Sequence, residues 1–413
     1  MRRSTVWAVA VGLALRLGWM LTTARAPHLD HVADPGLYER MAQQSFGHDA
    51  LWPYGHGGPT TFLSIGYPGV LRAISLGTGG LLTPFAAAML LNLIAGGVII
   101  AGVAAVVSCF DVRAAVVAAW LTACWPDLIT ASGQVMTELP AAALLVVAVA
   151  ELTSSRDGWH RRAAWTLPAL AAAFVWLRPS LQLVAMVIVI AVWRRGGAAL
   201  AARTAAVIAI LLLPLGLWSM VRVDAGLGLT SAQWINICDG TSSSAFRADP
   251  QCRPRDDEVW TERGWVERSK SVAITRIKSD PVGWVSAAPA KLWETVGHAG
   301  WGTEVGRNWS GHLPNTSFVR LVESLATWCW RVALALGLAG LWVRRHDKSV
   351  RLLAILTIAA TVAVLITFGT PRFQLPMLVL LVIPCSAERI AKAAAWVHQR
   401  GSADGRSMVP RRR

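Results

Sequence analysis

Asp34 lies about ten residues beyond the first apolar stretch, within "DHVADPGLYERMAQQ", and Tyr38 follows it four positions on. In a helix those two side chains share a face. Glu138, in "ASGQVMTELPAAALL", opens another apolar run. Arg178 ("WLRPS") and Arg372 ("GTPRFQLP") each stand beside a proline in a short turn between apolar runs. A carboxylate takes a proton from a hydroxyl, and a cation holds a departing phosphate. Glycosyl transfer from a lipid phosphate needs both groups, and needs them at the bilayer surface. Each residue also has a plainer explanation. Asp34 before Pro35 has the form of a helix start, and Glu138 is a carboxylate that a helix dipole favours. The two arginines suit lipid headgroups as well as a substrate phosphate. Position alone leaves these alternatives open. Asp30 lies nearer the end of the apolar stretch and is the second choice for the carboxylate.

The elements that must position these groups are apolar helices. The chain is 54% hydrophobic and 15% charged, where a soluble domain carries nearer ~25% charged residues. Runs long enough to cross a hydrocarbon core recur from end to end, so the expected class is an all-α polytopic membrane protein. The first run, "VWAVAVGLALRLGWMLTTA", contains Arg16 and lacks a small-residue cleavage site, so it reads as a retained span rather than a signal peptide. About ten transmembrane helices are expected, near 5–24, 84–108, 114–130, 136–153, 163–177, 180–193, 204–222, 319–342, 351–369 and 374–396. The fifth and sixth meet at Arg178-Pro179-Ser180, either as a tight hairpin or as one long bent segment.

A net charge of +15 suggests nucleic acid until its distribution is read. Basic residues cluster in alternate polar breaks: Arg2 and Arg3, Arg156 to Arg162, Arg194 to Arg203, Arg344 to Arg351, and the "RSMVPRRR" tail. Short Arg/Lys-rich loops stay in the cytoplasm. With an even number of spans both termini are then cytoplasmic, and the cell membrane is the expected location. Nucleic acid is not an expected partner. The division expected is an N-terminal membrane module, 1–222, carrying a first outward loop at 25–83. A large outward loop follows at 223–318, then C-terminal helices at 319–396 and a basic tail at 397–413. Loops this long are uncommon unless functional.

Cys238 and Cys252 both fall in the large outward loop, fourteen positions apart, where an oxidising exterior favours a disulfide. The other cysteines lie in or at the ends of spans and read as small apolar residues. His28, His31, His48, His56, His298 and His312 are all outward, but none has metal-ligand spacing. "NWS" at Asn308 and "NTS" at Asn315 match acceptor sequons, a pattern with many false positives.

Taken in order, these stretches resemble a known family. "DPGLYERMAQQ" followed by "GYPGVLRA" is similar to the "D-x-x-x-Y-x-x-x-A … P-G-Y-P" opening of polyprenol-phosphate-sugar-dependent glycosyltransferases of the GT-C fold. Those enzymes are related to protein O-mannosyltransferases and the lipid A aminoarabinose transferase. The resemblance continues through "TELPAAALL", "FVWLRPSLQLV", "WINICDGTSSS", "SDPVGWVSAAPAKLW" and "TPRFQLPMLVLL". It implies Asp34 as the catalytic or metal-proximal carboxylate, with Glu138 as a second. It also implies Arg178, Lys291 and Arg372 as the cations holding a polyprenyl phosphate, and Tyr38 and Tyr67 join them as candidate substrate-binding residues. A divalent cation, Mg or Mn, is the one cofactor it admits. Partners would be a polyprenyl-phosphate-sugar donor, membrane lipids, and a lipid, glycan or protein acceptor. One direct displacement would invert the anomeric carbon. Asp34 is followed by Pro35 instead of a second acid, "NICDGTSSS" replaces an Asn-rich start to the large loop, and no soluble C-terminal domain follows. These departures bear on a protein acceptor more than on glycosyl transfer. A transporter or flippase is the alternative, but it favours repeats and broken helices at the midplane, whereas here the polar groups gather in outward loops.

Overall fold

The structure, a computed structural model, describes residues 2–27, 34–44, 60–153, 159–223, 228–242, 249–252 and 261–406. Among these residues it is helical throughout, with no strand. Asp30, His28, His31, His48, His56, Arg156 and the end of the basic tail lie outside the described residues.

In chain order the first half contains α1 (Arg2–Thr23), α2 (Asp34–Gln43), α3 (Gly66–Gly77), α4 (Pro84–Ser108), α5 (Val112–Ala123), α6 (Pro126–Thr130), α7 (Glu138–Thr153), α8 (Trp159–Leu177), α9 (Gln182–Gly196) and α10 (Ala198–Trp218). The large loop carries α11 (Ala232–Asp239), α12 (Glu262–Ser279), α13 (Pro281–Ser286), α14 (Ala288–Val296) and α15 (Trp301–Glu304). The chain then returns through α16 (Ser317–Val343), α17 (Lys348–Ile366), α18 (Gln374–Met377) and α19 (Ile383–Arg406), the last two joined by a π-helical turn at Leu378–Val382.

Each expected span falls on a helix. By length and composition six helices of the described residues can cross a membrane, or up to seven if α5 and α6, bent by 52°, form one span. That is fewer than the ten or so expected, for a physical reason. α7, with 16 residues, is buried along most of its length, packed against α4 and α8. A helix enclosed by others need not present a full lipid-facing length. The spanning helices leave side chains such as Leu21, Met186, Ile210 and Trp342 exposed, as lipid-facing surfaces require.

Arg178 and Pro179 separate α8 from α9, and the two helices fold back on each other. The start of α8 meets the end of α9, with the Arg195 guanidinium 4.3 Å from the Trp159 ring centroid. The segment is a hairpin, not one bent helix. Arg16, fully buried, explains the bend between α5 and α6. Its Nη1 donates to the Ala123 carbonyl at 3.0 Å and its Nη2 to that of Thr122 at 3.1 Å. Pro126 cannot continue the helix, and the guanidinium satisfies carbonyls that α5 leaves open at its end. α16 and α19 approach closely where Gly340 lies: a Cβ there would stand 2.5 Å from the Cys385 carbonyl oxygen. Small residues allow such backbone contact between membrane helices.

Turns from distant parts of the chain meet at one end of the bundle. Arg195 donates to the Leu152 carbonyl at 2.6 Å, and Arg344 reaches Glu388 at 2.9 Å and the Phe110 carbonyl at 3.4 Å. At the opposite end the two long loops are knit together. The Thr61 amide and hydroxyl both donate to the buried Glu262 carboxylate at 3.0 Å. Thr230 donates its hydroxyl to the Thr61 carbonyl at 2.9 Å, and Phe62 stacks on Trp265 with centroids 5.4 Å apart. Cys238 and Cys252 are joined as a disulfide with Cα atoms 5.9 Å apart. The Cys252 carbonyl accepts the Trp265 indole N–H and, at 3.1 Å, the Ser269 hydroxyl, so α12 is fastened to the bridge.

Candidate active site

Two ion pairs meet in one polar pocket at the loop end of the bundle. Arg372 Nη1 lies 2.6 Å from Asp34 Oδ2, and Arg178 Nη1 lies 2.6 Å from Glu138 Oε1. All four residues line a cavity of about 110 Å³ together with Tyr38, Thr137, Ser64 and Phe373. Phe373 stands between the two cations, its ring centroid 5.2 Å from the Arg178 guanidinium carbon and 5.4 Å from that of Arg372. Trp309 flanks Arg372 at 5.1 Å. Aromatic faces attract such cations and hold the guanidinium planes in place.

Each charged group is set by local structure. Asp34 opens α2 ahead of Pro35, as a carboxylate at a helix N-terminus should. Glu138 opens α7 in the same way and lies 3.4 Å from the Thr137 hydroxyl. Arg178 follows α8 directly, its extended backbone forced by Pro179 behind it. The close approach of Ser64 and Gly66 fixes the end of α8: the Ser64 hydroxyl donates to the Trp176 carbonyl, and a Cβ at Gly66 would lie 2.3 Å from that oxygen. Arg372 sits in the turn Pro371–Phe373. The turn is tied to the large loop, since Gln374 donates to the Thr295 and His298 carbonyls and Thr370 donates its amide to the Thr295 hydroxyl at 3.2 Å.

Burial works to lower the Arg372 pKa, but the charges of Asp34 and Glu138 outweigh it and hold the guanidinium above its ordinary value. Its Nε–H is buried and has no acceptor among the described residues. Tyr38 lines the same pocket, and burial, reinforced by Asp34 and Glu138, raises its phenol so that it stays protonated. Tyr67 is fully buried and meets Tyr38 edge to face at 5.1 Å. It supports Tyr38 from behind and does not line the cavity.

Lys291 is placed elsewhere. Its side chain is fully buried in α14 and its ammonium donates to the Leu365 carbonyl at 3.1 Å, at the C-terminal end of α17. Burial lowers its pKa to about 8. A cation at a helix C-terminus is favoured by the dipole, so this lysine has a structural task without any phosphate. Phe373, Trp309, Thr137 and Ser64 are neighbours that sequence reading did not single out. Phe373 follows Arg372 inside a quoted motif and was within reach, whereas nothing local marks Trp309 as its partner.

Among the described residues no three His, Cys, Asp or Glu side chains stand close enough to hold a metal ion. Both carboxylates of the pocket are already engaged by guanidinium groups. A divalent cation there would have to take at least one carboxylate from its guanidinium partner.

No protein-family model and no curated protein matches the chain. Solved structures do. The archaeal oligosaccharyltransferase AglB from Archaeoglobus fulgidus, in complex with an inhibitory peptide and a dolichol-phosphate, aligns over 100% of this chain and 52% of its own, with TM-score 0.54 and 14% identity. The apo form of the Archaeoglobus fulgidus enzyme aligns over 99% and 52%, with TM-score 0.54 and 13% identity. ArnT from Cupriavidus metallidurans bound to undecaprenyl phosphate aligns over 90% of this chain and 77% of that chain, with TM-score 0.39 and 13% identity. The chain thus spans about half the length of the oligosaccharyltransferase. At such identities the likeness is one of architecture: this is a polytopic chain, helical among its described residues, with the GT-C fold.

Proposed function

We propose that the protein is a membrane glycosyltransferase that moves a sugar from a polyprenyl-phosphate donor to an acceptor hydroxyl on the extracytoplasmic face. The observation that carries this reading is Arg372, a half-buried guanidinium that pairs with a carboxylate while its buried Nε–H has no acceptor among the described residues. A phosphate oxygen at the free Nε–H satisfies that donor and competes with Asp34 for the cation. Donor binding then loosens Asp34 at the moment a base is needed. The acceptor O–H gives its proton to Asp34, its oxygen bonds to the anomeric carbon, and the bond from that carbon to the phosphate oxygen breaks. The electron pair leaves with the polyprenyl phosphate, held by Arg372 and Arg178. One displacement of this kind inverts the anomeric centre. Glu138 keeps Arg178 in position, and the protonated Tyr38 supplies a hydrogen bond.

Two further features support a lipid donor. An apolar groove of about 720 Å³ runs between α4, α7, α8 and α10, and Leu177 belongs both to its wall and to the polar pocket. The oligosaccharyltransferase that shares the fold was captured with a dolichol-phosphate. The basic turns at Arg195 and Arg344 gather at the end away from Asp34, which favours an outward-facing site with both termini inside. Residues 1–222 and 319–396 would form the membrane body, and 223–318 the outward cover. The acceptor is a lipid, glycan or protein hydroxyl.

The test is sugar transfer by purified Asp34→Asn protein with a polyprenyl-phosphate-linked sugar. Loss of the base lowers turnover by about a hundredfold to ten-thousandfold, measured at a temperature where the variant, which also loses its pair with Arg372, stays folded. Normal turnover would move the base to Glu138 or the large loop.

A further inference from the structure

The polar pocket does not end at the ion pairs. A second cavity of about 300 Å³ continues from it, and the two share Pro179, Ser180, Thr230, Asn236 and Phe373 as walls. No charged side chain of the described residues lines this second cavity. Its polar groups include the carboxamides Gln182, Gln233 and Asn236, and its apolar walls are Leu183, Ile237, Ala363 and Ile366. Gln233 and Asn236 lie three positions apart on α11, on one face. Their side chains make no hydrogen bond with the described residues, and neither does that of Gln182.

α11 is held firmly enough to present them. The disulfide ends at Cys238, and a Cβ at Gly240 would stand 1.9 Å from the Thr367 carbonyl oxygen, so only glycine lets the end of α11 press against α17. Carboxamides both donate and accept, which matches the hydroxyl groups of a sugar. A cationic amine would need a carboxylate, and those of the adjoining pocket, Asp34 and Glu138, are taken by arginines. An anionic sugar would need a cation beyond the two that face the phosphate. Neither charge would find an oppositely charged partner in the wall of this cavity. The volume is at the lower end of small-molecule sites, roughly 300–1,000 Å³, and suits one sugar ring.

We infer that this cavity holds the transferred sugar and selects a neutral, hydroxyl-rich monosaccharide through Gln182, Gln233 and Asn236. The inference rests on the transferase reading above and adds the chemical class of the donor sugar. Calorimetry on the full-length protein in detergent tests it with farnesyl phosphate alone and with farnesyl-phosphate-linked sugars. The neutral panel is mannosyl, glucosyl, galactosyl and arabinosyl; the charged sugars are 4-amino-4-deoxyarabinosyl and glucuronosyl. At least one neutral sugar should bind about tenfold more tightly than farnesyl phosphate, and the charged ones no more tightly than farnesyl phosphate. The near-isosteric pair Gln182→Glu and Gln233→Glu, neither of which borders the polar pocket, should erase that increment, turn preference toward the amino sugar, and leave farnesyl phosphate affinity unchanged. Tighter binding of a charged sugar by wild type, or an increment untouched by the double variant, overturns this inference alone. Failure of farnesyl phosphate itself to bind overturns the transferase reading and this inference with it.

Discussion

Arg372 and Asp34 are separated by 338 positions in sequence and by 2.6 Å in the structure. The contact joins a turn before α18 to the first residue of α2 and closes the pocket. Neither partner is fully buried, so the pair is worth less than an enclosed one. Its coupling should be about 1–3 kcal/mol, and the double variant Asp34→Asn/Arg372→Gln should melt closer to wild type than Arg372→Gln alone. Thermal melts of the four proteins in one detergent check this. Additive effects would mean that the two side chains do not depend on each other. Arg372→Lys keeps the charge but loses the planar donor fork, so it should weaken farnesyl phosphate binding while leaving the melt nearly unchanged.

The large loop lines the pocket with Thr230, Ala232 and Asn236, and Glu262 supports the facing wall from outside the cavity. Its carboxylate receives the Thr61 amide and hydroxyl, and the strand of loop that follows supplies Phe62, Leu63 and Ser64 to the cavity wall. Glu262→Ala leaves two buried donors without acceptors, at about 1–3 kcal/mol each. Transfer activity should fall along with the melting temperature, and Glu262→Gln, which keeps a carbonyl acceptor, should recover part of both. Burial raises the Glu262 pKa. The folded state therefore takes up a proton before the unfolded state does as pH falls. This residue's contribution to stability is greatest below the unfolded carboxylate pKa and is lost as pH rises through the folded one. Glu262→Gln should flatten that dependence in melts taken between pH 4 and 7.

The ionisable members of the site were legible in sequence by their places at the ends of apolar runs: Asp34 beyond the first, Glu138 at the edge of another where charge is costly, and Arg178 and Arg372 in turns beside prolines. The fold brings all four to one pocket. What pairs with what was not legible. Nothing local to α2 says that its first carboxylate meets a turn before α18. The hairpin at Arg178 was equally open, because two short apolar runs around a proline fit a bent helix too. Arg16 marked an expense within the first span, but its purpose depends on α5 ending beside it. Lys291 shows the limit of motif reasoning. A conspicuous cation in a matched stretch suggested phosphate, whereas its ammonium in the structure meets the end of α17.

The disulfide offers a simpler check. Closing a loop of this length stabilises by roughly 3 kcal/mol in the chain-entropy model. Cys238→Ser/Cys252→Ser should lower the melting temperature, and because α11 carries Asn236 and Gln233 it should weaken sugar recognition more than farnesyl phosphate binding. Peptide mass spectrometry without reductant should recover the two cysteines as a linked pair. Free thiols at both positions would reject the bridge.

Lys291 distinguishes a structural cation from a substrate-binding one by its response to pH. Burial lowers its pKa to about 8, against an unfolded value of roughly 10.4. Between those values the unfolded chain holds a proton that the folded chain has released. Stability attributable to this group therefore rises with pH through that window, and below it the buried charge carries its full penalty. Lys291→Met removes the titration and fills the site with a side chain of similar length. The melting temperature of wild type should climb relative to Lys291→Met from pH 8 to pH 10, with little difference in farnesyl phosphate affinity between the two proteins at pH 7. A large loss of affinity in Lys291→Met, with parallel melting curves across pH, would return this lysine to the donor phosphate and remove it from the end of α17.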